Sequence, residues 1–166
     1  MFVAQGLAGS SKPIAYRELN QQIEALLRDE RDGLANCANL AALLYQLLPD
    51  LSWAGFYFLR GEELVLGPFQ GRVACVRIGL GRGVCGTAAR ERRTIVVPDV
   101  HAFPGHIACD ARSRSEIVVP LLHGDRLLGV LDLDSPVENR FEQDDAEGLA
   151  AAVQLLLAYS DLSRCA

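Results

Sequence analysis

The sequence predicts an α+β fold, with helices first, a mostly antiparallel run of strands in the middle and a helix to close. Three observations carry this. Apolar residues recur at helical spacing near both ends of the 166-residue chain. The middle switches to β-rich segments separated by turn residues. No parallel βαβ series interrupts those segments, so a doubly wound sheet is not indicated. One sheet of about five or six strands, with helices on one side, fits the number of segments.

The elements follow in order. Residues 1–12 are small and polar and read as a loose N-terminal segment, leaving 13–166 as a single domain. Ser11 and Pro13 open a helix that carries Leu19, Ile23, Leu26 and Leu27 to about Arg31. Gly33 breaks it, and a second helix holds Leu34, Cys37, Ala38, Ala41, Leu44 and Leu48 before Pro49. Residues 52–59 are an aromatic-rich strand, with a turn at 60–62 into a strand at 63–66. A further strand is expected at 72–78. Gly79, Gly81, Gly83 and Gly86 surround a tight loop and a short helix to about Arg92. A strand at 94–97 stops at Pro98, and 99–115 is a long, ordered, functional loop. Residues 116–122 and 126–134 form a hairpin about a turn at 123–125. Residues 141–161 close the chain as an amphipathic helix, with Glu142, Asp144 and Asp145 in its first turn, where the dipole favours negative charge.

Composition limits the function classes. A net charge of −5 argues against nucleic acid, which needs clustered cations. No basic start followed by an apolar run marks a signal peptide, and the longest apolar stretch, 149–159, is too short to span a membrane. Five cysteines without an export signal fit a reducing cytoplasm with free thiols, where a disulfide would be transient and catalytic.

Strand alternation sorts the candidate residues by face. Trp53 and Tyr57 point one way, and Ala54, Phe56 and Phe58 the other. Asp132 and Asp134 share one face of the last strand, backed by Leu131 and Leu133 on the opposite one. Glu116 opens the partner strand of that hairpin, so three acids converge at its distal end. Like charges held close raise the cost of ionising all of them, and a cation is their natural guest. The bland reading is a solvated strand end before Pro136.

The cysteines admit three readings: metal ligands, inert core thiols and catalytic thiols. Cys75, Cys85 and Cys109 show none of the short spacings of zinc sites, even with His101 and His106 added, so no metal is expected. Cys75 in a strand could be an inert core thiol, and Cys37, on a helix face, and Cys165, at a frayed terminus, are taken as inert. As catalytic thiols, Cys85 sits at a helix N-terminus, where the dipole favours thiolate, and Cys109 lies in the long loop. Gly81–Gly86 matches GxGxxG, but the helix that follows is short and charged, so the glycines more plausibly allow close backbone approach than dinucleotide binding. His101 and His106 read as loop anchors, and 90–93 as a solvated helix end.

Six motifs then stand in order: LGPFQG (66–71), ACVRI (74–78), GVCGTA (83–88), VPDVHAFPGHIACD (97–110), SEIVVPL (115–121) and GVLDLDSP (129–136). Together they resemble the free methionine-(R)-sulfoxide reductases, a family built on a single GAF domain. The resemblance runs from about Asn36 into the final helix and implies a GAF-like fold. It implies that Cys109 attacks the sulfoxide sulfur, that Cys75 resolves the sulfenic acid to a disulfide and that Cys85 is an auxiliary resolver. It implies an acidic pocket of Glu116, Asp132 and Asp134 and an aromatic pair, Trp53 and Tyr57, around the substrate methyl group. No cofactor is implied; thioredoxin is the expected electron donor, free methionine-(R)-sulfoxide the substrate and a homodimer the expected assembly. The competing reading is a non-catalytic GAF sensor of a small ligand.

Overall fold

The computed structural model describes residues 2–7, 11–105 and 112–165. Helix α1 (Lys12–Leu27) starts with a proline in its first turn and buries Tyr16, Leu19, Ile23 and Leu27 along one stripe. It ends four residues before the expected Arg31, because the charged run that follows has no apolar side chain to hold against the core. There the Glu30 carboxylate accepts the N–H groups of Arg31 and Asp32, each at 2.7 Å, and turns the chain. Helix α2 (Gly33–Leu47) is capped by Asp32, which accepts from Ala35 N at 2.9 Å. The N-terminal segment is tied to α1: Gln5 N donates to Gln22 Oε1, and Gln22 Nε2 donates to Gln5 O.

Six strands follow in one sheet of order β3-β2-β1-β6-β5-β4, every neighbouring pair antiparallel. They are β1 (Trp53–Arg60), β2 (Glu63–Gly71), β3 (Arg77–Gly79), β4 (Ile95–Val97), β5 (Ser115–His123) and β6 (Arg126–Ser135). The expected strand at 72–78 is corrected to Arg77–Gly79. Residues 72–76 are irregular because side chains take over their carbonyls. Trp53 Nε1 donates to Arg72 O (3.1 Å) and Tyr57 Oη to Cys75 O (3.0 Å), while Leu66 N donates to Val76 O. Cys75 thus lies on this irregular segment, not in a strand. Strand β2 is longer than predicted and carries a register slip, where Gly67 and Pro68 stand against Phe56.

The two faces of the sheet carry separate cores. Ala54, Phe56, Phe58, Ile117, Val119, Leu131 and Leu133 pack with α1, α2 and α4 (Gln143–Tyr159). Trp53, Tyr57, Val118 and Val130 face the other way, against Val84, Cys85, Ala88 and Ala89 of α3 (Gly83–Glu91). The expectation of helices on one side is therefore corrected: α3 covers the second face. The GxGxxG glycines serve this approach, since a Cβ on Gly86 would sit 2.3 Å from Gly79 O. The frayed C-terminus is corrected as well. Ser160 accepts from Asn36 Nδ2 at 2.9 Å, and Leu162 and Cys165 return into the core beside Cys37.

Buried Asp145 on α4 joins the terminal helices. Its carboxylate meets Lys12 Nζ at 2.6 Å and Arg140 Nη1 at 2.8 Å, and accepts from Tyr16 Oη at 2.8 Å. Burial opposes its charge, but the hydrogen bonds from Lys12 and Arg140 win and hold the carboxyl below its ordinary range.

Candidate active site

The second face of the sheet holds the candidate site, and strand register builds it. Asp134 on β6 lies between Glu116 on β5 and Trp53 on β1. One step along, Asp132 lies between Val118 and Gly55, and Tyr57 follows on β1 opposite Val130. The period-two alternation keeps Trp53 with Tyr57 and Asp132 with Asp134, as the sequence predicts, and the register between strands brings both pairs and Glu116 onto one face. Gly55 matters because it has no side chain. A Cβ there would fall 2.3 Å from Phe69 Cβ and 2.6 Å from Trp53 Cη2. The space goes to the indole, which stacks on Phe69 (centroids 5.3 Å apart, 15° between planes) and on Tyr57 (5.9 Å, 26°).

Helix α3 lowers Cys85 onto the acids. Cys85 Sγ stands 4.0 Å from Glu116 Oε1, and one ligand atom each of Cys85, Glu116 and Asp132 lie within 4.8 Å of one another. All three residues are buried. Asp132 Oδ1 is buried with no hydrogen-bond partner among the described residues, which costs free energy in an isolated protein. Burial pushes the Glu116 carboxyl well above the ordinary carboxylate range, and Asp132 and Asp134 push it further. Burial and Asp134 raise Asp132 too, against a smaller opposing pull from the Cys85 and Glu116 hydrogen bonds. Both groups are biased towards the protonated form, facing an acceptor that lacks a donor among the described residues. A cation or a polar hydrogen is what the arrangement would accept.

The helix-dipole argument for a Cys85 thiolate does not survive this environment. Burial, then the charges of Asp132 and Glu116, push the thiol well above its ordinary value. Two buried carboxyls at close range outweigh the partial charge of a helix end. Cys75 is in a disulfide, whereas Cys37, Cys85 and Cys165 carry free thiols. His101 is exposed, and its backbone N–H donates to Asp99 Oδ1 at 3.0 Å, so its position is fixed by the turn. Cys109 and His106 lie outside the described residues. Sequence reasoning missed Gly55 and Phe69. A lone glycine inside an aromatic strand was the available signal.

Comparison with known proteins gives this geometry a family. The GAF domain family matches residues 22–159. A free methionine-R-sulfoxide reductase of Escherichia coli (strain K12) is 51% identical over 152 residues, covering 90% of this chain and 92% of its own. One of the same name from Saccharomyces cerevisiae is 43% identical over 154 residues, covering 88% and 86%. The X-ray structure of free methionine-R-sulfoxide reductase from Neisseria meningitidis, in complex with its substrate, superposes with a TM-score of 0.93 at 46% identity, covering 99% of both chains. The chain belongs to the GAF domain family and, within it, to the free methionine-R-sulfoxide reductases.

Proposed function

We propose that this protein reduces free methionine-R-sulfoxide to methionine. The carrying observation is the buried acid cluster of Glu116 and Asp132, with Asp132 Oδ1 left without a donor. The α-ammonium of a free amino acid supplies that missing donor and a positive charge together. Methionine sulfoxide inside a peptide has no such group and leaves the carboxyl unsatisfied, a costly mismatch that makes rejection strong.

Glu116, kept protonated by burial and its neighbours, donates to the sulfoxide oxygen, because oxide is a poor leaving group. The Cys109 thiolate attacks sulfur, and the protonated oxygen leaves as water to give a Cys109–sulfonium. A water then attacks the Cys109 sulfur, breaking the S–S bond so that methionine departs, a proton is released and Cys109 becomes a sulfenic acid. The Cys75 thiol attacks that sulfenic acid, a disulfide forms and water leaves. A thioredoxin dithiol then returns two electrons by thiol–disulfide exchange. Trp53 and Tyr57, set by the space over Gly55, enclose the methyl group and select the epimer. Support for Cys75 as resolver is that it is in a disulfide while Cys37, Cys85 and Cys165 are free thiols. Cys85, buried with a raised thiol, takes part only when Cys75 is missing.

The test is methionine formation from free R and S epimers with thioredoxin recycling, beside Cys109→Ser and Cys75→Ser. The reading expects turnover of the R epimer alone, none in Cys109→Ser, and at most a slow residual rate in Cys75→Ser. Absence of methionine with reduced, folded protein would overturn it in favour of a ligand sensor.

A further inference from the structure

We infer that the irregular segment 72–76 is the docking surface for the dithiol reductase, and that the reductase attacks Cys75 rather than Cys109. The inference rests on the catalytic cycle proposed above and adds to it where the partner sits and which sulfur it takes.

Val73 is 87% exposed and Val76 63%, and no large apolar residue among those described is more exposed than Val73. They flank Cys75, which is partly exposed and in a disulfide. The segment does not need these side chains to stay in place. Its carbonyls hold it to the sheet: Arg72 O accepts from Trp53, Cys75 O from Tyr57 and Val76 O from Leu66 N. Two solvent-facing valines on a firmly anchored backbone are apolar surface without a folding role. The exposed Leu34 on α2 flanks no redox group. Cys85, by contrast, is buried under α3 and closed to a protein partner.

The partner that fits carries a reactive thiol ringed by apolar surface, as a dithiol–disulfide oxidoreductase must to reach a half-buried sulfur. Its thiolate attacks Cys75 Sγ. A partner–Cys75 disulfide forms, the Cys75–Cys109 bond breaks and the electron pair stays on the Cys109 sulfur. The partner's second thiol then attacks the mixed disulfide and expels the Cys75 thiolate, which takes up a proton. Two electrons pass from the dithiol to the disulfide. Attack in this direction releases Cys109 as the thiolate that the next sulfoxide requires.

Two measurements test this. In the first, Val73→Asp/Val76→Asp is assayed with thioredoxin and, separately, with dithiothreitol, beside Leu34→Asp as an exposed apolar control. We expect kcat/KM for thioredoxin to fall about tenfold or more. The dithiothreitol rate should stay within about twofold of wild type, and the control should resemble wild type in both assays. An unchanged thioredoxin rate, or an equal fall with dithiothreitol, overturns the inference. In the second, a thioredoxin whose resolving cysteine is replaced by serine is mixed with the oxidised protein, and the trapped mixed disulfide is mapped by peptide mass. Attachment at Cys75 supports the inference; attachment at Cys109 overturns it. The trap needs no sulfoxide, so it decides the docking question even where wild type forms no methionine with dithiothreitol, the result that would defeat the function itself.

Discussion

At the scale of single residues, the site stores destabilisation. Glu116 and Asp132 have folded pKa values raised above their unfolded ones, chiefly by burial. A raised carboxyl contributes stability that is complete below the unfolded pKa and is lost as pH rises through the folded one. Ionising this cluster as pH rises therefore costs the substrate-free protein stability. Glu116→Gln and Asp132→Asn should each stabilise the fold by about 0.5–2 kcal/mol at pH 8 and by less at pH 5. The same variants should lose about 10²-fold or more in turnover. Denaturant titrations at the two pH values, beside the epimer assay, check both signs. Equal or lower stability at pH 8 would show that the acids are satisfied some other way. That Asp132 and Asp134 share a face was legible in the sequence, because side chains alternate in a strand; that Glu116 joins them was not, because a register shift at Leu121/Leu122 is what sets Glu116 opposite Asp134. The thiol state of Cys85 was not, because the helix end it occupies is visible in sequence and the acids above it are not.

At the scale of elements, β1 builds both cores. Its odd positions give Trp53, the gap at Gly55 and Tyr57; its even positions give Ala54, Phe56 and Phe58. Gly55→Ala puts a methyl group 2.3 Å from Phe69 Cβ, next to the β2 backbone, where little can yield. The variant should lose about 1–3 kcal/mol and displace the indole. Thermal denaturation and the KM for free sulfoxide would report the two effects, and unchanged values for both would mean that β2 moves freely. The 72–78 segment shows why a β-rich run is weak evidence. Its valines have strand propensity, but Trp53 and Tyr57 take its carbonyls in place of a neighbouring strand.

At the scale of the whole molecule, the two ends of the chain close over the first core. Asp145 on α4, held by Lys12, Tyr16 and Arg140, is the buried charge that fixes this closure. Its folded pKa is lowered, so its contribution is present above the unfolded pKa and lost as pH falls through the folded one. Asp145→Asn leaves Arg140 buried without its partner and should cost about 3–5 kcal/mol at pH 7. Wild type should lose that same margin on acidification below the ordinary carboxylate range. Urea unfolding of both proteins from pH 7 downward measures it, and converging curves at low pH are the expected result. Gly148 sits at the same crossing, where a Cβ would fall 2.2 Å from the Tyr16 ring.

What the sequence by itself determined is whatever depends on local periodicity: three long helices, the hairpin of β5 and β6, and the pairing of Trp53 with Tyr57 and of Asp132 with Asp134 on a face of their own strands. These follow from the 3.6- and 2-residue repeats, which act within a few residues of each other. Only the tertiary structure decided which side of the sheet α3 would cover, that Cys85 would be sealed against Glu116, and that Cys165 would pack beside Cys37. Those outcomes depend on residues dozens of positions apart competing for the same buried volume, and no local repeat encodes that competition.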